Sequence, residues 1–139
     1  MKYRRAITFG TYDLFHVGHV RILQRAAALA DELVVGISTD ELNLSKKQHV
    51  PITPYCQRAE IVSSCRYVTS VFSEENLAKK REYILRYQAD VLVMGDDWAG
   101  RFDEFKDICE VIYLPRTEDV STTELVTFIQ KISCSEPSS

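Results

Sequence analysis

Thr8-Phe9-Gly10-Thr11-Tyr12-Asp13-Leu14-Phe15-His16-Val17-Gly18-His19 runs from a β-rich segment into a helical one. In an open α/β sheet, ligands gather at the carboxyl ends of strands, which is where such a turn lies. The stretch is not GxGxxG, and no GxxxxGK[ST] occurs anywhere, so the two common glycine-rich phosphate loops are absent. His16 and His19 stand three residues apart at a helix start, which puts both rings on one side of the first turn. Helix N-terminal amides and the helix dipole favour a phosphate there. Gly18 removes a side chain where a ligand approaches the backbone, and Gly10 loosens the turn leaving the strand. For HxxH alone, a metal pair or two incidental histidines compete with a phosphate site. The Gly-Thr-x-Asp that precedes it favours the nucleotide.

Outward from this turn, short apolar runs alternate with longer helical periods, a βαβ signature. The predicted strands are Ala6–Phe9, Leu33–Ser38, Tyr67–Phe72, Val91–Met94 and Val111–Leu114, nearly continuous in apolar residues as strands covered on both faces should be. Predicted helices are Gly18–Ala30, Tyr55–Ser64, Asn76–Gln88 and a short one near Asp103–Ile108. The expected fold is an α/β, Rossmann-like, doubly wound five-stranded parallel sheet with helices on both faces. Thr53-Pro54 reads as an N-cap and first helical residue. Ser121 and Glu124 form a capping box before Leu125, Phe128, Ile129 and Ile132, so a last helix starts near Thr122. The only long connection, Asp40–Thr53, carries Lys46, Lys47 and His49 and reads as a lid. Residues 1–132 are expected to form a single domain, with a frayed tail over 133–139.

Composition narrows the function. Seventeen Lys+Arg against 20 Asp+Glu leave a net charge of −3, a poor balance for general nucleic-acid binding, so any phosphate site must be local. No apolar run approaches the roughly 18 residues of a membrane span. Met1-Lys2-Tyr3-Arg4-Arg5 leads straight into the first strand without a secretory apolar region, and a cytoplasmic location is expected. Cys56, Cys65, Cys109 and Cys134 show no CxxC pair, so neither a zinc site nor a disulfide framework is suggested.

Gly10-Thr11-Tyr12-Asp13 and His16-Val17-Gly18-His19 resemble the signature of the HxGH nucleotidyltransferase superfamily. The similarity to its cytidylyltransferase family continues through Ile37-Ser38-Thr39-Asp40-Glu41, Arg66-Tyr67-Val68, Val93-Met94-Gly95-Asp96-Asp97-Trp98 and the segment from Tyr113 to Thr123. The resemblance implies transfer of CMP from CTP to sn-glycerol 3-phosphate, giving CDP-glycerol and pyrophosphate by in-line attack without a covalent intermediate. It also implies Mg²⁺ bridged by the phosphates rather than ligated directly by side chains, and a homodimer with the second helix and the Arg66 region near the contact. CDP-glycerol would feed a teichoic acid or another surface glycan containing glycerol phosphate.

Carried onto this sequence, the family pattern makes His16, His19, Lys46 and Arg116 the catalytic set. It gives Phe9, Gly10, Thr11, Gly18, Met94, Gly95, Asp97, Ser121 and Thr122 to the nucleotide together with His16, His19 and Arg116. Asp13, Lys46, Arg66, Asp96 and Trp98 fall to the acceptor. Lys46 and Lys47 would fold over the phosphates as a flexible lid. Asp119 departs from the pattern, which usually has Gly there; a carboxylate at that point repels phosphate unless it turns outward or toward the metal. A phosphate monoester is already largely dianionic at pH 7, since its second pKa is about 6, so no general base is needed. The task is alignment and charge neutralisation.

Alternatives within the same chemistry are phosphoethanolamine, phosphocholine, another polyol or sugar phosphate, or adenylyl transfer to flavin mononucleotide as in an FAD synthetase. The phosphate-gripping elements say nothing about the base. A non-catalytic nucleotide-binding module needs affinity only, and the joint presence of both histidines, Arg116 and the Ser-Thr-Thr cluster argues against it.

Overall fold

The structure is a computed structural model that describes residues 2–115 and 122–135. Five strands form one sheet: β1 (Tyr3–Gly10), β2 (Ala30–Ser38), β3 (Ser70–Glu74), β4 (Val91–Gly95) and β5 (Glu110–Leu114). Every pairing is parallel and the order is β3-β2-β1-β4-β5. The chain therefore starts in the middle, winds out to β3, and returns past β1 to β4 and β5. This is the expected doubly wound sheet, and its switch point lies between β1 and β4.

Helices cover both faces. Leu23 and Ala26 of α1 (Val17–Ala28) and Val62 of α3 (Tyr55–Ser63) pack with Ala6, Val35, Ile37, Val91 and Val93 on one side. Tyr83 and Ile84 of α4 (Lys80–Arg86) pack with Ile7, Phe9, Leu92 and Met94 on the other, beside Phe105 of a 3-10 turn over Asp103–Asp107. Successive β1 residues thus face opposite layers, and both layers are apolar because parallel strands are covered twice. α2 (Asp40–Lys47) and α5 (Thr122–Ser135) complete the helices.

Several boundaries differ from the sequence reading. Asp40–Lys47, read as part of a long lid, is helix α2: Thr39 accepts from the Leu42 N–H as N-cap, acids fill the first turn and Lys46-Lys47 the last. That charge order suits the helix dipole. β3 begins at Ser70 rather than Tyr67, because Thr69 joins β2 through its hydroxyl, which accepts from the Leu33 N–H, and through its own N–H to Leu33 O. β2 begins at Ala30, paired with Tyr3, where the helix was expected to end. At α3 the N-cap position is Pro54, without a side-chain cap; the Asp40 carboxylate accepts from Tyr55 N–H in its place. Within Asn76–Gln88 a 3-10 turn over Leu77–Lys79 precedes α4. The start of α5 agrees, although Ser121 lies outside the described residues, and the helix continues through Ser135.

Gly36 in β2 has a packing reason. A Cβ there would lie 2.7 Å from both the Phe72 and the Phe9 rings, which meet edge to face across the strand with centroids 5.8 Å apart. Gly36→Ala is expected to cost about 1–3 kcal/mol through overpacking, read as a lowered urea midpoint at unchanged slope.

Candidate functional site

β1 stays paired with β2 as far as Gly10↔Ile37, whereas its pairing with β4 covers only Ala6↔Val91 and Ile7↔Leu92. Beyond Ile7 the two central strands part. A cleft of about 1010 Å³ opens in the gap, with Thr8, Phe9 and Gly10 on one wall and Met94 and Gly95 on the other. Its lining also includes Thr11, Asp13, His16, Gly18, His19, Lys46, Asp96, Asp97 and Trp98. The fold thus brings together most residues expected to touch nucleotide or acceptor. It does not bring Arg66, which lies before β3 at the opposite edge of the sheet; exposed, its guanidinium rests over the Tyr67 ring, 5.6 Å from the centroid. Parallel strands carry their amino ends away from the cleft, and Arg66, just before β3, is not among the residues that line it. Arg116, Asp119 and Ser121 lie outside the described residues, as does the side chain of Thr122.

The turn after β1 is built around Tyr12. It adopts a left-handed backbone (φ 57°), as does Leu14 (φ 47°), conformations that a side chain resists. Gly10 does not loosen this turn through a positive φ; it makes room, since a Cβ there would lie 2.8 Å from the Tyr12 ring. The buried ring then backs His19 at 5.5 Å between centroids, while Phe15 stacks on His19 at 5.4 Å and His16 lies 4.0 Å away. His19 is boxed on three sides.

Both histidines cap α1. Gly18 N–H donates to His16 Nδ1 at 3.0 Å, and His16 N–H donates to His19 Nδ1 at 3.1 Å, a reciprocal capping box made of imidazoles. Each Nδ1 being an acceptor, the proton of each neutral ring sits on Nε2. The two rings therefore reach the cleft as neutral hydrogen-bond donors at a helix N-terminus. Protonation would put the ring's second proton on an Nδ1 that already accepts from an N–H. In the same direction, burial first and His16 second hold His19 down to about 4, and burial lowers His16 as well.

Behind the histidines lies a residue the sequence reading passed over. Arg58, fully buried in α3, donates from Nε to Thr53 O (2.8 Å), from one terminal nitrogen to Thr11 O (2.7 Å) and Ser38 O (2.8 Å), and from the other to Asp40 (2.8 Å). It ties the ends of β1 and β2 to the starts of α2 and α3. Asp13, expected at the acceptor, is engaged the same way: its carboxylate accepts from Leu14, Ile52 and Thr53 N–H and pins the 51–53 segment beside the turn. Asn43, also buried, bonds Thr11 and Ser38.

Lys46 lines the cleft from the last turn of α2, so it is a helix-mounted cation rather than a flexible lid. Desolvation, then Lys47, holds its ammonium below the ordinary lysine range. Lys80 and Glu74, both buried and paired with each other, line the same cleft and were also passed over. Their signal was present: Lys80 opens the stripe continued by Tyr83 and Ile84, and Glu74 shares a strand face with Phe72 along β3.

Two outcomes are expected. Arg58→Lys keeps a charge but not the planar fork, and strands carbonyls in the interior; it should cost about 2–4 kcal/mol in urea unfolding. For His19, the unfolded chain takes up a proton near pH 6.5 while the folded one resists until about 4. Stability is full above pH 6.5 and falls as pH drops toward 4. His19→Gln retains an N3 acceptor without the titration, and between pH 7.5 and 4.5 should lose about 2 kcal/mol less than the wild type in urea titrations.

Residues 7–128 match a family model described as Cytidylyltransferase-like. The chain is 51% identical over 122 residues to the glycerol-3-phosphate cytidylyltransferase of Bacillus subtilis, covering 88% of this chain and 94% of that protein. It is 35% identical over 129 residues to the ethanolamine-phosphate cytidylyltransferase of Dictyostelium discoideum, covering 88% of this chain and 35% of that longer protein. Among solved structures, the lipopolysaccharide core biosynthesis protein of Thermoplasma volcanium superposes with a TM-score of 0.70 at 17% identity over 83% of this chain and 98% of that one, which bears on fold alone. With a family model spanning most of the chain and a relative identical at about half of 122 aligned residues, the protein belongs to the cytidylyltransferase-like family of nucleotidyltransferases.

Proposed function

We propose that this chain transfers CMP from CTP to sn-glycerol 3-phosphate, forming CDP-glycerol and releasing pyrophosphate. The observation that carries the reading is the pair of imidazoles fixed through Nδ1 at the N-terminus of α1, beside the switch-point cleft. The 51% identity to a glycerol-3-phosphate cytidylyltransferase favours this acceptor over those of more distant relatives.

In the proposed reaction a phosphate oxygen of the acceptor attacks the α-phosphorus of CTP in line as the bond to the β-phosphate bridging oxygen breaks. No proton need move, because the attacking monoester is a dianion. The residues therefore act on charge. His16 and His19 would donate Nε2–H to phosphate oxygens, the amino end of α1 would add its dipole, and Lys46 would meet the growing negative charge from α2. The nucleotide's phosphates, rather than side chains, would hold a Mg²⁺ whose charge would offset that of the leaving pyrophosphate; Asp96 and Asp97 line the same cleft. Arg116, Ser121 and Thr122 would complete the triphosphate grip. A cytoplasmic location is part of the reading, and among the described residues no helix is long and apolar enough to cross a membrane. A homodimer with α3 and Arg66 near the contact is part of the reading; Ile61 of α3 is exposed there.

Pyrophosphate release should be seen with CTP, Mg²⁺ and glycerol 3-phosphate, and not with ATP and flavin mononucleotide. Silence with the first pair overturns the reading. His16→Asn, which keeps an N-cap acceptor but loses the Nε2 donor, should drop turnover about 10²–10³-fold with little change in melting temperature. His16→Ala should add a stability loss of about 1 kcal/mol.

A further inference from the structure

The Lys80 ammonium is enclosed as though it were a ligand. It pairs with the buried Glu74 carboxylate and lies 4.4 Å from the centre of the Phe9 ring and 5.5 Å from that of Phe102, inside the distance at which an aromatic face attracts a cation. Two aromatic faces and one carboxylate around an ammonium form the kind of cage that recognises alkylammonium ligands. All four side chains line the catalytic cleft. Stability alone is a poor reason for this arrangement, since a buried ion pair often holds a fold no better than apolar residues of the same size.

We propose that Lys80 determines acceptor specificity by filling this cage with the chain's own cation, so that phosphate esters bearing an ammonium group are rejected and an uncharged polyol phosphate is retained. The inference rests on the acceptor reading above and deepens it. With the cage filled, an incoming ammonium finds neither ring face nor the Glu74 carboxylate, and meets instead the field of Lys46, Lys47 and Lys80. Lys46 already feels Lys80 as an unfavourable neighbour and Glu74 as a favourable one, so these groups share one electrostatic environment. A polyol phosphate brings no second charge, and its hydroxyls can face Asp96, Asp97 or Trp98.

The test compares kcat/KM for glycerol 3-phosphate with that for phosphoethanolamine, using CTP and Mg²⁺, in the wild type and in Lys80→Ala. The variant empties the cage and leaves Glu74 to attract the ammonium. The preference for glycerol 3-phosphate should fall about tenfold or more, whatever happens to the absolute rates. An unchanged ratio overturns the proposal while leaving the function above intact. Should the wild type be inactive with glycerol 3-phosphate, the acceptor reading fails, and an NMR titration with tetramethylammonium chloride decides the cage by itself. Saturable shifts in Lys80→Ala and none in the wild type beyond a potassium chloride control support it; none in either overturns it. If an unpaired Glu74 keeps Lys80→Ala from folding, Lys80→Ala/Glu74→Gln carries the same comparisons through the rings alone, with a smaller shift in the ratio and weaker binding expected.

Discussion

The catalytic edge of this protein hangs on one guanidinium. Four segments that are distant in sequence end or begin around Arg58: the exits of β1 and β2 and the entries of α2 and α3. Each presents backbone or carboxylate oxygens that helix or sheet does not satisfy, and a planar fork of donors meets them together. The guanidinium is buried without being isolated, because its charge faces Asp40 and its N–H groups face carbonyls. Asp13 performs the inverse service, gathering backbone N–H groups from the 51–53 segment to the turn below the histidines. A donor hub and an acceptor hub therefore hold the β1 turn from two sides, which is what allows left-handed conformations at Tyr12 and Leu14 to persist.

That rigidity has a chemical use. Enzymes that move phosphoryl-type groups have little covalent chemistry to perform and much charge to place. Here two imidazoles are fixed in tautomer and direction by the helix they cap, so the same hydrogen bonds that stabilise α1 also choose which nitrogen is left to the cleft. A neutral donor held in place suits a ligand that binds and leaves with each turnover, and burial favours the neutral form of both rings.

A chain with a net charge of −3 nevertheless sets three lysines, Lys46, Lys47 and Lys80, along one cleft. Three acids of this region are engaged, Asp40 by Arg58 and Tyr55, Asp13 by backbone N–H groups and Glu74 by Lys80, while Asp96, Asp97 and Glu104 also line the cleft. What remains facing the cavity from α2 and α1 is Lys46, Lys47 and the helix amino end. The local field is thus set by which carboxylates are occupied, and the overall count of charges says little about it.

The sequence by itself determined the parts of this protein that local physics controls. Apolar runs set the five strands and their double burial; a Gly-Thr-x-Asp turn before HxGH set where the ligand edge lies; resemblance over those motifs set the family. Those signals are short-range, so they survive without coordinates. Tertiary structure decided what depends on segments meeting. Arg58 reads as one more polar residue between Gln57 and Ala59, although it falls on the stripe of Tyr55, Ala59 and Val62, and only the convergence of four chain ends gives it partners. Thr39 and the acids of α2 were legible as a helix start, yet the lysines drew the segment toward a loop. Lys80 and Glu74 became a caged pair only when β1, β3 and α4 met. Arg66 went the other way, because a motif match carries no information about which edge of a parallel sheet a residue occupies. Periodicity is written in neighbours along the chain, whereas a site is written in neighbours through space.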